Sequence, residues 1–129
     1  ELGLEIPEEY VRSCIYHDPA LCEEQTRQLL QLKDRPTCVI FPDDYSFMGG
    51  YNAIVEAGLR MPEDVSALGY DGINLARLMH LTTYTQNAMT IGRTSAEQLI
   101  AQVEAPDSAD STPIMIHGGL MEGNTVKQL

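Results

Sequence analysis

Positive charge is scarce in this sequence. Of 129 residues, 8 are Lys or Arg against 19 Asp or Glu, a formal net charge of −11. Affinity for a phosphate backbone comes from Lys and Arg, and no basic run gathers them here, which argues against nucleic-acid binding by this segment. The acidity reads as solubility. Cysteine is scarce too: Cys14, Cys22 and Cys38 are odd in number and form no C-x-x-C pair, as expected of reduced thiols in a cytoplasmic protein. Cys38 lies in an apolar run and is expected in the core. No apolar run is long enough to span a membrane, and no charged leader precedes an apolar core. The opening E-L-G-L-E-I-P reads as the middle of something longer. Catalytic signatures are missing as well: no G-x-S-x-G, P-loop, H-E-x-x-H or G-x-G-x-x-G. His17, His80 and His117 share no metal-ligand spacing. These absences lean towards binding rather than catalysis, with no cofactor or metal implied and no membrane partner.

What is present alternates strand and helix patterns. The chain is organised around Gly58–Asp71, G-L-R-M-P-E-D-V-S-A-L-G-Y-D. Gly58 fits the left-handed position after a helix, Leu59 supplies the apolar contact that follows such a cap, and Pro62 prevents continuation. Val65–Leu68 is then a short apolar strand closed by Gly69-Tyr70-Asp71. Upstream, Glu1–Glu9 reads as a connector and Tyr10–Tyr16 as a strand. Asp18-Pro19 is a helix start, with Ala20–Leu32 helical. Thr37–Phe41, T-C-V-I-F, is β-branched and apolar without alternation, as in a strand covered on both faces. Tyr45–Ala57 reads as a helix in which Gly49 and Gly50 imply close backbone packing. Downstream come a short helix or turn at Ile73–His80, a strand-like linker at Leu81–Gln86 and a helix at Met89–Val103. A solvated loop at Glu104–Pro113 leads to a last strand at Ile114–His117 and a polar tail. Alternation of this kind predicts βαβ units in a mainly parallel sheet, within one domain or a large part of one.

In open parallel sheets, ligands bind at the carboxyl ends of strands. Asp43, Asp44 and Asp71 each follow a predicted strand. Carboxylates there suit either a polyhydroxylated ligand, through strong bonds to hydroxyl donors, or magnesium, through oxygen ligation. Against these stands a plainer role, the capping of the next helix, given even weight for Asp44. Tyr16 falls at the end of the first predicted strand, where its ring could stack on a sugar or a base or simply lie half-buried.

R-P-T-C-V-I-F-P-D-D-Y-S-F-M-G-G, A-G-L-R-M-P-E-D-V-S-A-L-G-Y-D, H-L-T-T-Y-T-Q and I-G-R-T-S-A-E-Q-L, in that order, resemble the effector-binding core of the lactose-repressor/galactose-repressor family of bacterial transcription regulators. The resemblance runs from about Tyr10 to the end. It implies an α/β, periplasmic-binding-protein-like (type I) subdomain, incomplete, with a mainly parallel sheet and helices on both faces. Residues 1–86 would be the C-terminal effector-binding subdomain lacking its first strand and helix. Residues 87–129 would be a crossover helix and strand that normally pack on the other subdomain. By motif, Asp43 and Asp71 match effector-contacting positions, Tyr16 an aromatic that stacks on ligand, and Gln86 the segment crossing between subdomains. Asp71-Gly72 stands where D-D is more usual, and His80 where a proline often precedes L-T-T.

The resemblance also implies a homodimer through Phe47, Met48, Tyr51, Leu78 and Met79, with C-terminal elements folding back or exchanging between copies. Operator DNA would be bound only through a domain not in this chain. The expected ligand is a small effector, a sugar more than a nucleobase and not a phosphorylated compound, because no Arg or Lys converges on the cleft. The competing expectation, from another class, is a flavodoxin-like, magnesium-dependent phosphoacceptor (receiver-type) domain using Asp43-Asp44 and Asp71.

Overall fold

A computed structural model describes residues 5–106, 110 and 112–127. The expectations for residues 1–4, for 107–109 and 111 of the loop, and for 128–129 of the tail lie outside the described residues. The helices are α1 (Pro19–Leu30), α2 (Phe47–Glu56), α3 (Asn74–Leu78) and α4 (Ala88–Glu104); the strands are β1 (Cys38–Ile40), β2 (Ser66–Asp71), β3 (Thr82–Thr85) and β4 (Gly119–Met121). The sheet order is β1-β2-β3-β4, with β1, β2 and β3 parallel and β4 antiparallel to β3. The α/β expectation of a mainly parallel open sheet is met.

Local chemistry sets the boundaries. The Asp18 carboxylate accepts from Leu21 N at 3.0 Å, with Pro19 as the first helical residue, and so starts α1. At the end of α2, Gly58 takes φ +71° while Leu59 N reaches back to Ile54 O at 3.1 Å, closing the helix as a left-handed glycine cap does. Where α2 meets α1, a Cβ on Gly49 would lie 1.8 Å from Pro19 O, so only glycine lets the two backbones approach this closely.

One core cluster joins Val39, Phe41 and Ala67 of the sheet region to Cys22 and Leu29 of α1, Phe47 of α2 and Ala76 of α3. All three helices therefore feed one side of the sheet. The opposite side carries Ile40, Tyr70, Tyr84 and Leu120, which remain exposed. Tyr70 and Tyr84 stack there at 5.7 Å between centroids.

Four expectations need correction. Tyr10–Tyr16 forms no strand: a single 3-10 turn at Glu8–Tyr10 leads into irregular chain, tied down by Tyr10 to the Asp34 carbonyl rather than by a ladder. Cys38 is exposed rather than in the core, because β1 is an edge strand covered on one side. Residues 114–117 form no strand either; β4 lies just beyond them. Finally, α4 contributes no buried residue, so its apolar stripe does not fold back on this sheet. The chain returns to the sheet after α4, and Thr125 bonds to both Ala67 and Thr82 between β2 and β3.

Candidate functional site

β2 delivers Asp71 to the carboxyl end of the sheet, where its backbone turns through φ +115° and Gly72 follows at +74°. A non-glycine residue held at such a φ is unusual and recurs at ligand sites. Both oxygens of Asp71 are occupied from within the chain. Tyr16 donates its phenol to Oδ2 at 2.5 Å, and Gln86 donates Nε2 to Oδ1. The bond to Asp71 is the main reason the Tyr16 phenol is pushed up to about 12; burial and the negative charges of Asp71, Asp43 and Asp44 act in the same direction. The His17 ring stacks on Tyr16 at 4.1 Å, and Tyr45 meets His17 edge-on at 5.6 Å.

These groups line a pocket of about 650 Å³. Tyr16, His17 and Tyr45 form an aromatic wall, and Asp71 and Gln86 supply the polar groups. Ile73 and the first turns of α4, through Ala88 and Ile91, supply apolar surface. No Lys or Arg is among the lining residues, so a phosphate placed here would meet a carboxylate and no cation. The arrangement suits a neutral ligand with hydroxyl donors on its edge and an apolar face.

Asp43 and Asp44 sit at the same end of the sheet, with Asp44 N bonded to Tyr70 O at 2.9 Å, yet neither lines the pocket. Both are fully buried. Asp43 accepts from Ser46 N and Ser46 Oγ, each at 2.7 Å, and from His17 N at 3.1 Å, and so caps the turn that opens α2. Burial alone would raise its carboxyl, but the bonds from Ser46 and His17 hold it below the ordinary carboxylate range. Asp44 accepts from Thr83 Oγ1 at 2.6 Å, Gly72 N at 2.8 Å and Ile73 N at 2.9 Å, pinning the turn after β2 to β3. Gly69 makes room for it, since a Cβ there would lie 2.3 Å from Asp44 Oδ1.

The structure thus brings Tyr16, Asp71 and Gln86 together and withdraws Asp43 into a structural role. His17, Tyr45 and the start of α4 were not anticipated as site residues. For Tyr45 the sequence signal is an aromatic directly after the strand-end pair Asp43-Asp44, and for His17 it is a ring adjoining Tyr16; nothing local marks the third. Of the residues expected at a dimer face, Phe47 is 1% exposed and packs on Phe41, so it belongs to the core. Met79 packs partly against the same core, whereas Met48, Tyr51 and Leu78 face solvent.

A periplasmic binding protein-like domain family matches residues 1–126, and the chain belongs to that family. Its relatives place it with the effector-binding cores of lactose-repressor/galactose-repressor regulators. It is 33% identical over 104 residues to the HTH-type transcriptional repressor PurR of Vibrio atlanticus, an alignment covering 79% of this chain and 31% of that protein. The chain therefore spans about a third of the length of such a relative. Among solved structures, a LacI family transcriptional regulator from Enterococcus faecium with bound ribose superposes with a TM-score of 0.76 at 26% identity, covering 86% of this chain and 41% of that one. A dimeric Lac repressor with an 11-residue C-terminal deletion superposes at 0.75 with 27% identity, covering 84% and 40%.

Proposed function

We propose that this chain is the effector-binding and dimerisation part of a bacterial transcription regulator, that it is not an enzyme, and that its effector is a neutral sugar. The observation that carries the proposal is the Asp71 carboxylate, set between Tyr16 and Gln86 on an aromatic-walled pocket whose lining holds no Lys or Arg. Ribose bound to the similar Enterococcus faecium protein makes pentoses the first sugars to try. Met48, Tyr51 and Leu78, large, apolar and solvent-facing, are the side chains offered to a second copy. The exposed stripe of α4, Met89, Leu99, Ile100 and Val103, packs on the family's other subdomain or, by exchange, on a second copy. Operator contact belongs to a separate domain, because this chain has no basic run to bind phosphates. The regulator works in the cytoplasm. Among the described residues no helix is long and apolar enough to cross a membrane.

The phosphoacceptor alternative needs Asp43 and Asp44 free to ligate magnesium. Here both are consumed by hydrogen bonds inside the fold, and a metal would have to break three hydrogen bonds at each of two buried acids. A melting-temperature panel of pentoses, hexoses, nucleobases and phosphorylated sugars tests the proposal. A neutral sugar should raise the melting temperature and sugar phosphates should not. Stabilisation by phosphorylated compounds alone would refute it.

A further inference from the structure

The chain reverses just ahead of α1. Asp18 N bonds to Ile15 O at 3.2 Å, and His17 turns through φ +60° while its N donates to the buried Asp43 carboxylate. That reversal lays Cys14 against Cys22 in the first turn of α1. The two thiols are direct neighbours, Cys14 acting on Cys22 through its charge and a hydrogen bond. We propose that Cys14 and Cys22 are a redox pair, joined by hydrogen peroxide into a disulfide that staples the segment carrying Tyr16 and His17 to α1. The staple forms whatever ligand the pocket of Tyr16 and Asp71 receives, so it does not rest on the effector reading above.

The surroundings divide the roles. Cys22 is 2% exposed and belongs to the core, whereas Cys14 is half-buried and packs on the edge of that core. Burial first, and then Cys14 beside it, pushes the Cys22 thiol up to about 12. At neutral pH Cys22 therefore keeps its proton and does not start the reaction. Cys14 is the thiol that meets the oxidant. Both residues line a cavity of about 710 Å³, ample for a molecule the size of hydrogen peroxide. Arg12 lines it too, and its Nε is buried without a hydrogen-bond partner. A Cys14 thiolate thus shares its cavity with a cation that has an unused donor. Cys38, exposed on β1, also lines the cavity, but no other thiol acts on it.

The reaction moves two electrons. The Cys14 thiolate attacks one oxygen of hydrogen peroxide: an S–O bond forms, the O–O bond breaks, and hydroxide leaves to take up a proton as water. Cys14 is then a sulfenic acid in contact with Cys22. The Cys22 sulfur attacks the Cys14 sulfur, so that an S–S bond forms and the S–O bond breaks. The departing hydroxide takes the Cys22 proton and becomes a second water. The two thiols are oxidised and the peroxide is reduced. Disulfides in the cytoplasm are mostly transient and redox-sensing, and a pair reduced at rest and closed by peroxide is of that kind. Because Tyr16 and His17 follow Cys14 directly in the chain, the closed pair fixes the aromatic wall of the effector pocket to α1.

Mass spectrometry of the full chain after a small molar excess of hydrogen peroxide tests this. Remaining thiols are alkylated first, and chymotrypsin then cuts between the two cysteines at Tyr16. Wild type and Cys38→Ser should each yield one linked pair of peptides, joining Cys14 to Cys22, and dithiothreitol should separate it. Oxidation should also raise the melting temperature of both proteins by about 5 °C, as closing a short loop does, and should leave that of Cys14→Ser unchanged. A disulfide from Cys38, a disulfide between chains, or Cys14 and Cys22 both still alkylated after the peroxide is consumed overturns the pair. A Cys14–Cys22 link without a rise in melting temperature overturns the staple.

Discussion

Replacing Asp43 by Ala separates a structural acid from a ligand-binding one. Asp43 is fully buried, and its oxygens serve Ser46 N, Ser46 Oγ and His17 N. Losing the cap costs about 1 kcal/mol, and each buried donor left without an acceptor costs about 1–3 kcal/mol more. Ser46 Oγ can rotate to a new partner, so the total is about 3 kcal/mol. For a chain of 129 residues this lowers the melting temperature by about 12 °C. Asp71→Ala removes only bonds from exposed partners and should cost under about 1 kcal/mol. Asp43→Asn, which keeps one acceptor oxygen, should fall between Asp43→Ala and wild type. Thermal unfolding followed by circular dichroism gives all four midpoints. An Asp43→Ala midpoint within about 4 °C of wild type, or an Asp71→Ala midpoint as low as that of Asp43→Ala, would refute the assignment of roles. Acid titration checks it independently. The folded Asp43 carboxyl lies below its ordinary range, so its stabilisation is complete above about pH 4 and is lost as pH falls further. Asp43→Ala should flatten that acid limb.

Three further outcomes follow from the geometry. The difference between tyrosinate absorbance titrations of wild type and Tyr16→Phe should show one phenol titrating near pH 12; since the folded value is raised, the stability it gives is complete below about pH 10 and lost as pH rises through 12. A difference curve centred at 10 would remove the short bond to Asp71. Gly49→Ala should cost about 3 kcal/mol despite the better helix propensity of Ala, because the new Cβ meets Pro19 backbone rather than a movable side chain; urea denaturation checks it, and a neutral result would mean that α1 and α2 are not so closely crossed. Met48→Glu and Leu78→Glu should each shift sedimentation from dimer to monomer, and an unchanged coefficient in both would move the interface elsewhere.

The parts of this fold that were legible in the sequence are those fixed by local chemistry. Asp18-Pro19 starts a helix, Gly58-Leu59 ends one, and T-C-V-I-F is a strand whatever surrounds it. Position in the sheet is not local. Cys38 looks like core in its run, yet it lies on an edge strand, which only the pairing order reveals. Val11–Ile15 has the composition of a strand and lies beside Val39–Phe41, with Cys14 packed against the core, yet it makes no ladder. Ile114–Ile116 has the same composition, but the antiparallel pairing begins only after Gly118, where a Cβ would lie 2.3 Å from the Tyr84 ring.

The site divides in the same way. Asp71 was readable because a glycine and no strong helix pattern follow it. The motif match puts Asp43 on the effector and the capping alternative falls on Asp44, although Ser46 three residues after Asp43 is the spacing of an acid that caps its own turn. The contribution of α4 to the pocket depends on where the chain crosses after β3, which no residue in the sequence states.

The most direct measurement is the heat of binding of D-ribose, by isothermal titration, to wild type and Asp71→Ala side by side. Saturable binding to wild type and none to the variant is the predicted result, because the ligand hydroxyls lose the only carboxylate among the described residues that line the pocket. Equal affinity for both proteins would contradict the central claim that Asp71 holds the effector.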